Sequence, residues 1–177
     1  MGDAGIASSS LNGQSISLAH LAPFVQVSRE KFRKQIANYY EKIRQGKQEK
    51  LFHEVIFQIG NREDMAVGTE AGDLAVNVLD EYVKDFQKRN PTLRVFSCYL
   101  HQDEATPHLH IDFVPYVINW KGKGMDTRVS LKQALKSLGF QGGNKHDTEL
   151  NQWINLKIEF VKRKMQEREE KETEQGK

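Results

Sequence analysis

With 177 residues, 38% hydrophobic and 28% charged, the chain has the size and make-up of one globular domain, not of a disordered or fibrous protein. Its formal net charge of +2 permits a nucleic-acid partner without requiring one. A single cysteine excludes an internal disulfide framework and fits a reducing cytoplasm, and no apolar run reaches the length of a membrane span.

The opening "MGDAGIASSS" has neither a basic nor an apolar signal region, and residues 1–14 read as a flexible leader. "QSISLAHLA" alternates Ile16 and Leu18 with serines, which predicts a short strand ending at His20. After Pro23, Ser28 is an N-cap candidate for a helix carrying Phe32, Ile36, Tyr39, Tyr40 and Ile43, stopped by Gly46. "KLFHEVIFQIG" is rich in β-branched and aromatic residues and predicts a strand to Gly60. A turn-like, mobile stretch leads into "DLAVNVLDEYVKDFQKRNP", with Leu74, Val78, Leu79, Tyr82, Val83 and Phe86 on one helical face; Asn90-Pro91 ends it.

Two strands follow, "LRVFSCYLH" and "HLHIDFVPYV", joined by "QDEATP", and read as an antiparallel hairpin with a wide turn. Cys98 lies inside the first of them and reads as a small core residue. "SLKQALKSLGF" has a capping box at Ser130 and Gln133 and a terminating Gly139. A last helix, "DTELNQWINLKIEFVKRKM", runs into "QEREEKETEQGK". The order β-α-β-α-β-β-α-α predicts an α+β fold, with a central, largely antiparallel sheet and helices packed on one face. One domain is expected over residues 15–165, with 166–177 a charged tail or the start of a longer C-terminal helix.

"HQDEATPHLH" places His101, His108 and His110 within ten positions. Strand alternation puts His108, His110 and Asp112 on one face and Leu109, Ile111 and Phe113 on the other. With the hairpin paired as read, His101 meets both histidines across the strands. Three converging imidazoles suit a divalent transition metal with positions left open. Asp103 and Glu104 are candidates for a further ligand, a hydrogen bond to a ligating histidine, or a general base, and Asp112 for orienting an imidazole. Arg128, Lys132, Lys136 and Lys145, the last beside a glycine-rich loop whose backbone could approach phosphates closely, form a basic group. Trp120, beside Lys121 and Lys123, offers either a stacking surface for a base or core packing.

"HQDEATPHLHIDFVP" resembles the metal-binding motif of the Mob/Pre plasmid mobilisation and recombination proteins, the MobV group of relaxases. "YYEKIRQGKQEKLFHEVIFQIG", "LDEYVKDFQKRNPTLRVFS" and "DTRVSLKQALKSLGFQGG" resemble the plasmid-recombination branch, so the likeness covers about residues 38–155. His108-Leu109-His110 is similar to the signature of the His-hydrophobic-His endonucleases. The resemblance implies a relaxase-type fold, with His101, His108 and His110 holding a divalent ion and Glu104 at an acidic position of the motif. Manganese is expected and magnesium is the alternative, because magnesium prefers oxygen ligands. The implied activity is nicking of single-stranded or hairpin DNA at a plasmid origin of transfer, through a covalent 5′-phosphoryl intermediate.

For the nucleophile, the resemblance implies an N-terminal His in a His-Asn-x-Arg pattern, and His20 occupies that place. Leu21, Ala22 and Pro23 follow it, so the Asn and Arg are absent. Related relaxases use tyrosine, which makes Tyr39 and Tyr40 the alternatives. Three other readings stand beside this one. A DNA-binding module with an impaired nuclease would bind the origin without cutting it. A rolling-circle replication initiator would place its tyrosine after the paired histidines, where Tyr116 lies on the strand itself. A hydrolase of small substrates has no support outside the sheet face. No membrane partner is expected, and the family's long helical C-terminal region, absent here, would be the place for homodimerisation.

Overall fold

The computed structural model describes residues 38–47, 49–121 and 126–175. The strand expected at 15–20, with His20, and Lys123 in the loop after Trp120 lie outside the described residues. The helix expected to run from Ser28 starts instead at Tyr39: Asn38 is extended and its side chain accepts the Glu41 N–H, so α1 spans Tyr39–Gln45 and stops at Gly46, while residues 28–37 lie outside the described residues.

The remaining elements are β1 (His53–Gln58), α2 (Glu70–Lys84), α3 (Phe86–Arg89), β2 (Leu93–His101), β3 (His108–Val117), β4 (Arg128–Val129), α4 (Leu131–Ser137) and α5 (Glu149–Gln175). Strand β3 lies between β1 and β2 and is antiparallel to both, and β4 pairs antiparallel with its far end. The fold is α+β with an antiparallel four-stranded sheet. Among the described residues no helix is long and apolar enough to cross a membrane.

The β2–β3 hairpin forms as its alternation requires, with His101 opposite His108 and Tyr99 opposite His110. One irregularity, between Val95 and Ser97, shifts the register. On one face, Leu109, Ile111 and Phe113 join Leu79, Tyr82, Phe86, Leu93, Ala134, Leu135 and Trp153 in the main core. Burying each of the large side chains is worth about 1.5–3 kcal/mol. Helices α2 to α5 cover this face. A polar bridge pins them: buried Asn90 accepts from Trp153 Nε1 at 2.9 Å and donates to the Phe86 carbonyl at 2.8 Å.

Helix α1 covers part of the other face. Tyr39 and Ile43 pack on Val114 and Val129, and Val114 shares its side of β3 with His108, His110 and Asp112. The histidine face is therefore roofed at one end and open at the other.

Three local expectations change. Helix α2 begins at Glu70, not Asp73, because the Thr69 hydroxyl accepts the Gly72 N–H and caps it. Gly72 is required there: a Cβ would stand 2.0 Å from the Ala66 carbonyl oxygen. The preceding stretch, read as mobile, is a hydrogen-bonded loop in which Asn61 N–H is bound by Asp64 and Val67 N–H donates to the Ala105 carbonyl. The capping box of α4 is one-sided, since the Ser130 hydroxyl accepts the Gln133 N–H while the Ser130 N–H donates to Pro115. Gly139 terminates α4 as expected, at φ +99°.

Candidate metal centre

Three rings meet on the open half of the sheet face. The centroids of His101, His108 and His110 form a near-equilateral triangle with sides of 5.0, 5.0 and 5.1 Å. One nitrogen from each lies within 4.8 Å of the others. Two come from alternate positions of β3 and the third from the facing position of β2, so sheet register alone brings them together.

Each ring is also oriented from behind. His108 Nδ1 lies 2.9 Å from the Thr106 carbonyl oxygen, His110 Nδ1 is 2.7 Å from Glu54 Oε1, and His101 Nδ1 is 3.4 Å from Asp103 Oδ1. Carbonyl and carboxylate oxygens only accept, so these contacts favour the tautomer that carries its proton on Nδ1. That leaves Nε2 of every ring as a lone-pair donor, the arrangement seen where histidines hold metal ions.

Glu104 Oε2 lies 3.9 Å from His108 Nε2, on the ligating side of the ring. The turn that carries it is braced, since the Ala105 carbonyl accepts the Val67 N–H. The donor set fits a divalent ion: three neutral imidazoles, an adjacent carboxylate, and an exposed side open to oxygen ligands. Asp103, exposed in the turn, is placed to orient His101 and not to ligate.

Glu54, the closest of the carboxylate partners, carries no signal in the histidine motif. It belongs to β1, 56 residues before His110, and reaches the site because β1 pairs with β3. A glutamate inside the apolar strand "HEVIFQ" was the available sign. Asp112 stands opposite Glu54 and Ser97 and does not contact an imidazole among the hydrogen bonds of the site. Burial first, and the Glu54 charge as well, push its carboxyl above the usual range, against a Ser97 hydrogen bond. Burial likewise pushes the Cys98 thiol up to about 12, which suits an inert core cysteine.

The tyrosines separate. Tyr39 is buried, accepts the Val129 N–H at 3.0 Å and donates to Glu49 at 3.3 Å. Burial raises its phenol to about 12. Its hydroxyl is a structural bolt between α1 and β4. Tyr40, next to it, is half-exposed.

The basic candidates lie away from the histidines, and most are engaged by carboxylates. Arg128 donates to Glu49 at 3.0 Å and lies 4.8 Å over the Trp120 ring. Lys132 and Lys136 both approach the buried Glu149, at 3.8 and 3.5 Å. Lys145 is exposed.

With this geometry in place, the comparison with protein families is informative: the model of the plasmid recombination enzymes, Mob_Pre, matches residues 22–175. The chain belongs to that family. It is thus a plasmid recombination and mobilisation enzyme by descent, and the match extends the likeness at both ends of residues 38–155. No curated protein and no solved structure matches the chain.

Proposed function

We propose that this Mob_Pre chain is a metal-dependent relaxase that nicks single-stranded or hairpin DNA at an origin of transfer. The observation carrying the reading is the triangle of histidines, one nitrogen of each within 4.8 Å of the others, with every Nδ1 set against an oxygen that only accepts. His101, His108 and His110 would hold the ion, with Glu104 as an additional ligand or a base. A divalent ion there, manganese before magnesium, would polarise a non-bridging phosphate oxygen and stabilise charge on the departing oxygen.

The nucleophile attacks the scissile phosphorus, the bond from phosphorus to the 3′ oxygen breaks, and that oxygen leaves with a proton. The 5′ phosphoryl group remains on the protein, which conserves the bond energy for rejoining. His20 is the proposed nucleophile, on its position in the sequence, and Tyr40 is the alternative. Tyr39 is set aside because its hydroxyl is already committed to Val129 and Glu49. Lys145 and the edges of Arg128, Lys132 and Lys136 are proposed to contact the DNA backbone.

A second reading rests on one observation, the Leu21-Ala22-Pro23 that follows His20 in place of Asn-x-Arg. On it the domain binds origin DNA and metal but does not cut. One experiment decides between them. The protein, manganese and a labelled oligonucleotide carrying the cognate nick site are incubated and run on a denaturing gel. A covalent adduct that disappears in His108→Ala and in either His20→Ala or Tyr40→Phe supports the relaxase. Metal and DNA binding without any adduct supports the binding module.

A further inference from the structure

On the helical side, across the sheet from the histidines, α3 and α5 border an open concavity of about 410 Å³ lined by Arg89, Leu156, Lys157, Glu159, Phe160 and Arg163. Lys157 sits on the core-facing side of α5, one turn after Trp153, and is only 5% exposed. Its ammonium rests 5.5 Å from the Trp153 ring. Among the described residues no carboxylate forms an ion pair with it. Burial first, and the charge of the Arg89 guanidinium as well, lower the lysine to about 8.

Arg89 is held rigidly for its own part. Its guanidinium lies between the rings of Tyr82 and Phe160, at 4.9 and 4.7 Å, and donates to the Tyr82 carbonyl oxygen. Among the described residues the acid that pairs with it is the exposed Asp85, at 3.9 Å. Arg163 supplies a third cation over Phe160, in an exposed pair with Glu167 at 3.5 Å. Glu159, the one carboxylate lining the cavity, is turned to Lys162 at 3.5 Å.

A buried ammonium next to a fixed guanidinium is costly unless an anion stands between them. Three cations around a concavity, two of them met by exposed acids at 3.9 and 3.5 Å and Lys157 by none among the described residues, supply the donors for one. The recessed position of Lys157 excludes the phosphate ridge of a duplex, which cannot enter a cavity, and favours a small or terminal group. Leu156, 55% exposed, and Phe160 add an apolar wall, and the volume falls in the range of small-molecule sites. We propose that Arg89, Lys157 and Arg163 form a second ligand site, separate from the histidine centre, for a small phosphate-bearing molecule.

The test is the thermal midpoint of the full chain with inorganic phosphate and with a 5′-mononucleotide, against sodium chloride at matched ionic strength. Wild type and H108A should both rise saturably, by about 5–10 °C at one hundred times the dissociation constant. K157M, which keeps the apolar stem, should be more stable than wild type without phosphate and lose the response. R163Q, on the exposed rim, should keep its basal midpoint and bind about fivefold more weakly; it keeps the test open should K157M fail to fold. A mononucleotide binding more tightly than phosphate would assign the apolar wall to the body of the ligand. Equal affinity would assign the site to the phosphate group alone. A wild-type midpoint that responds no more to phosphate than to chloride overturns the proposal, as does an undiminished response in K157M or R163Q.

Discussion

Replacing Glu54 tests the metal reading at a residue outside the histidine motif. The carboxylate holds His110 Nδ1 at 2.7 Å, the shortest of the three anchoring contacts. Loss of such a partner typically weakens metal binding 10–100-fold, about 1.4–2.7 kcal/mol. Glu54→Gln should fall at the upper end of that range. Its amide nitrogen can donate to Nδ1, which allows the proton to move to Nε2 and blocks the ligand atom itself. Glu54→Ala removes the anchor without imposing the wrong tautomer and should lie lower. Asp103→Asn, acting through a 3.4 Å contact in an exposed turn, should change affinity least. Manganese titration by calorimetry, with circular dichroism to verify the fold, measures all three. Unchanged affinity in both Glu54 variants, with the fold intact, would refute the idea that the anchored Nδ1 protons set the site.

Further expectations concern the scaffold. Tyr39→Phe should lower stability in urea by about 1–2 kcal/mol, since the Val129 N–H and Glu49 lose a partner, while leaving adduct formation in place. Asn90→Ala strands the indole N–H of the buried Trp153 and should cost about 2–4 kcal/mol by urea unfolding. For Lys157 the folded chain binds fewer protons than the unfolded one between about 8 and the ordinary 10.5. Stability attributable to this residue therefore rises with pH across that window, and a wild-type against K157M comparison of urea midpoints from pH 7.5 to 10 should show the gap closing. Tyr39 acts in the opposite sense higher up: its raised phenol is protected by folding, so its contribution is lost as pH climbs from the ordinary 10 towards about 12.

The histidine triangle was legible because everything that builds it is local. Alternation in "HLHIDF" fixes which side chains share a face, and a six-residue connection leaves little choice but an antiparallel hairpin. Glu54 was not legible, because the pairing of β1 with β3 skips two intervening helices and β2, and nothing in "HEVIFQ" names its neighbour. The same gap hid the placement of α1: periodicity showed that Tyr39 and Ile43 share a buried face, but not that they pack on the histidine side of the sheet. The charged end "QEREEKETEQ" was ambiguous between tail and helix for a different reason. It has no apolar stripe, and α5 continues through it to Gln175. Its adjoining turns are tethered from outside, where Lys164 and Arg168 both reach Glu81 of α2, at 3.0 and 2.9 Å. Lys157 was the reverse case, a charged residue at a core position of the helical repeat, which pattern alone treats as an irregularity.

The middle position of β3 has a kinetic consequence. A strand bonded along both edges cannot fray; its amides exchange with solvent only when the whole sheet opens. His108 and His110 are carried on that strand, and His101 on the partner most extensively paired with it. Glu104, by contrast, belongs to the hairpin turn, which lies outside the ladder and is tied to the rest of the chain by the bond from the Val67 N–H to the Ala105 carbonyl. Deuterium uptake should therefore divide the centre into two populations, slow at His108 and His110 on the central strand and faster at His101, on the edge strand β2, and across 102–105. Metal should retard the second population and leave the first as it was.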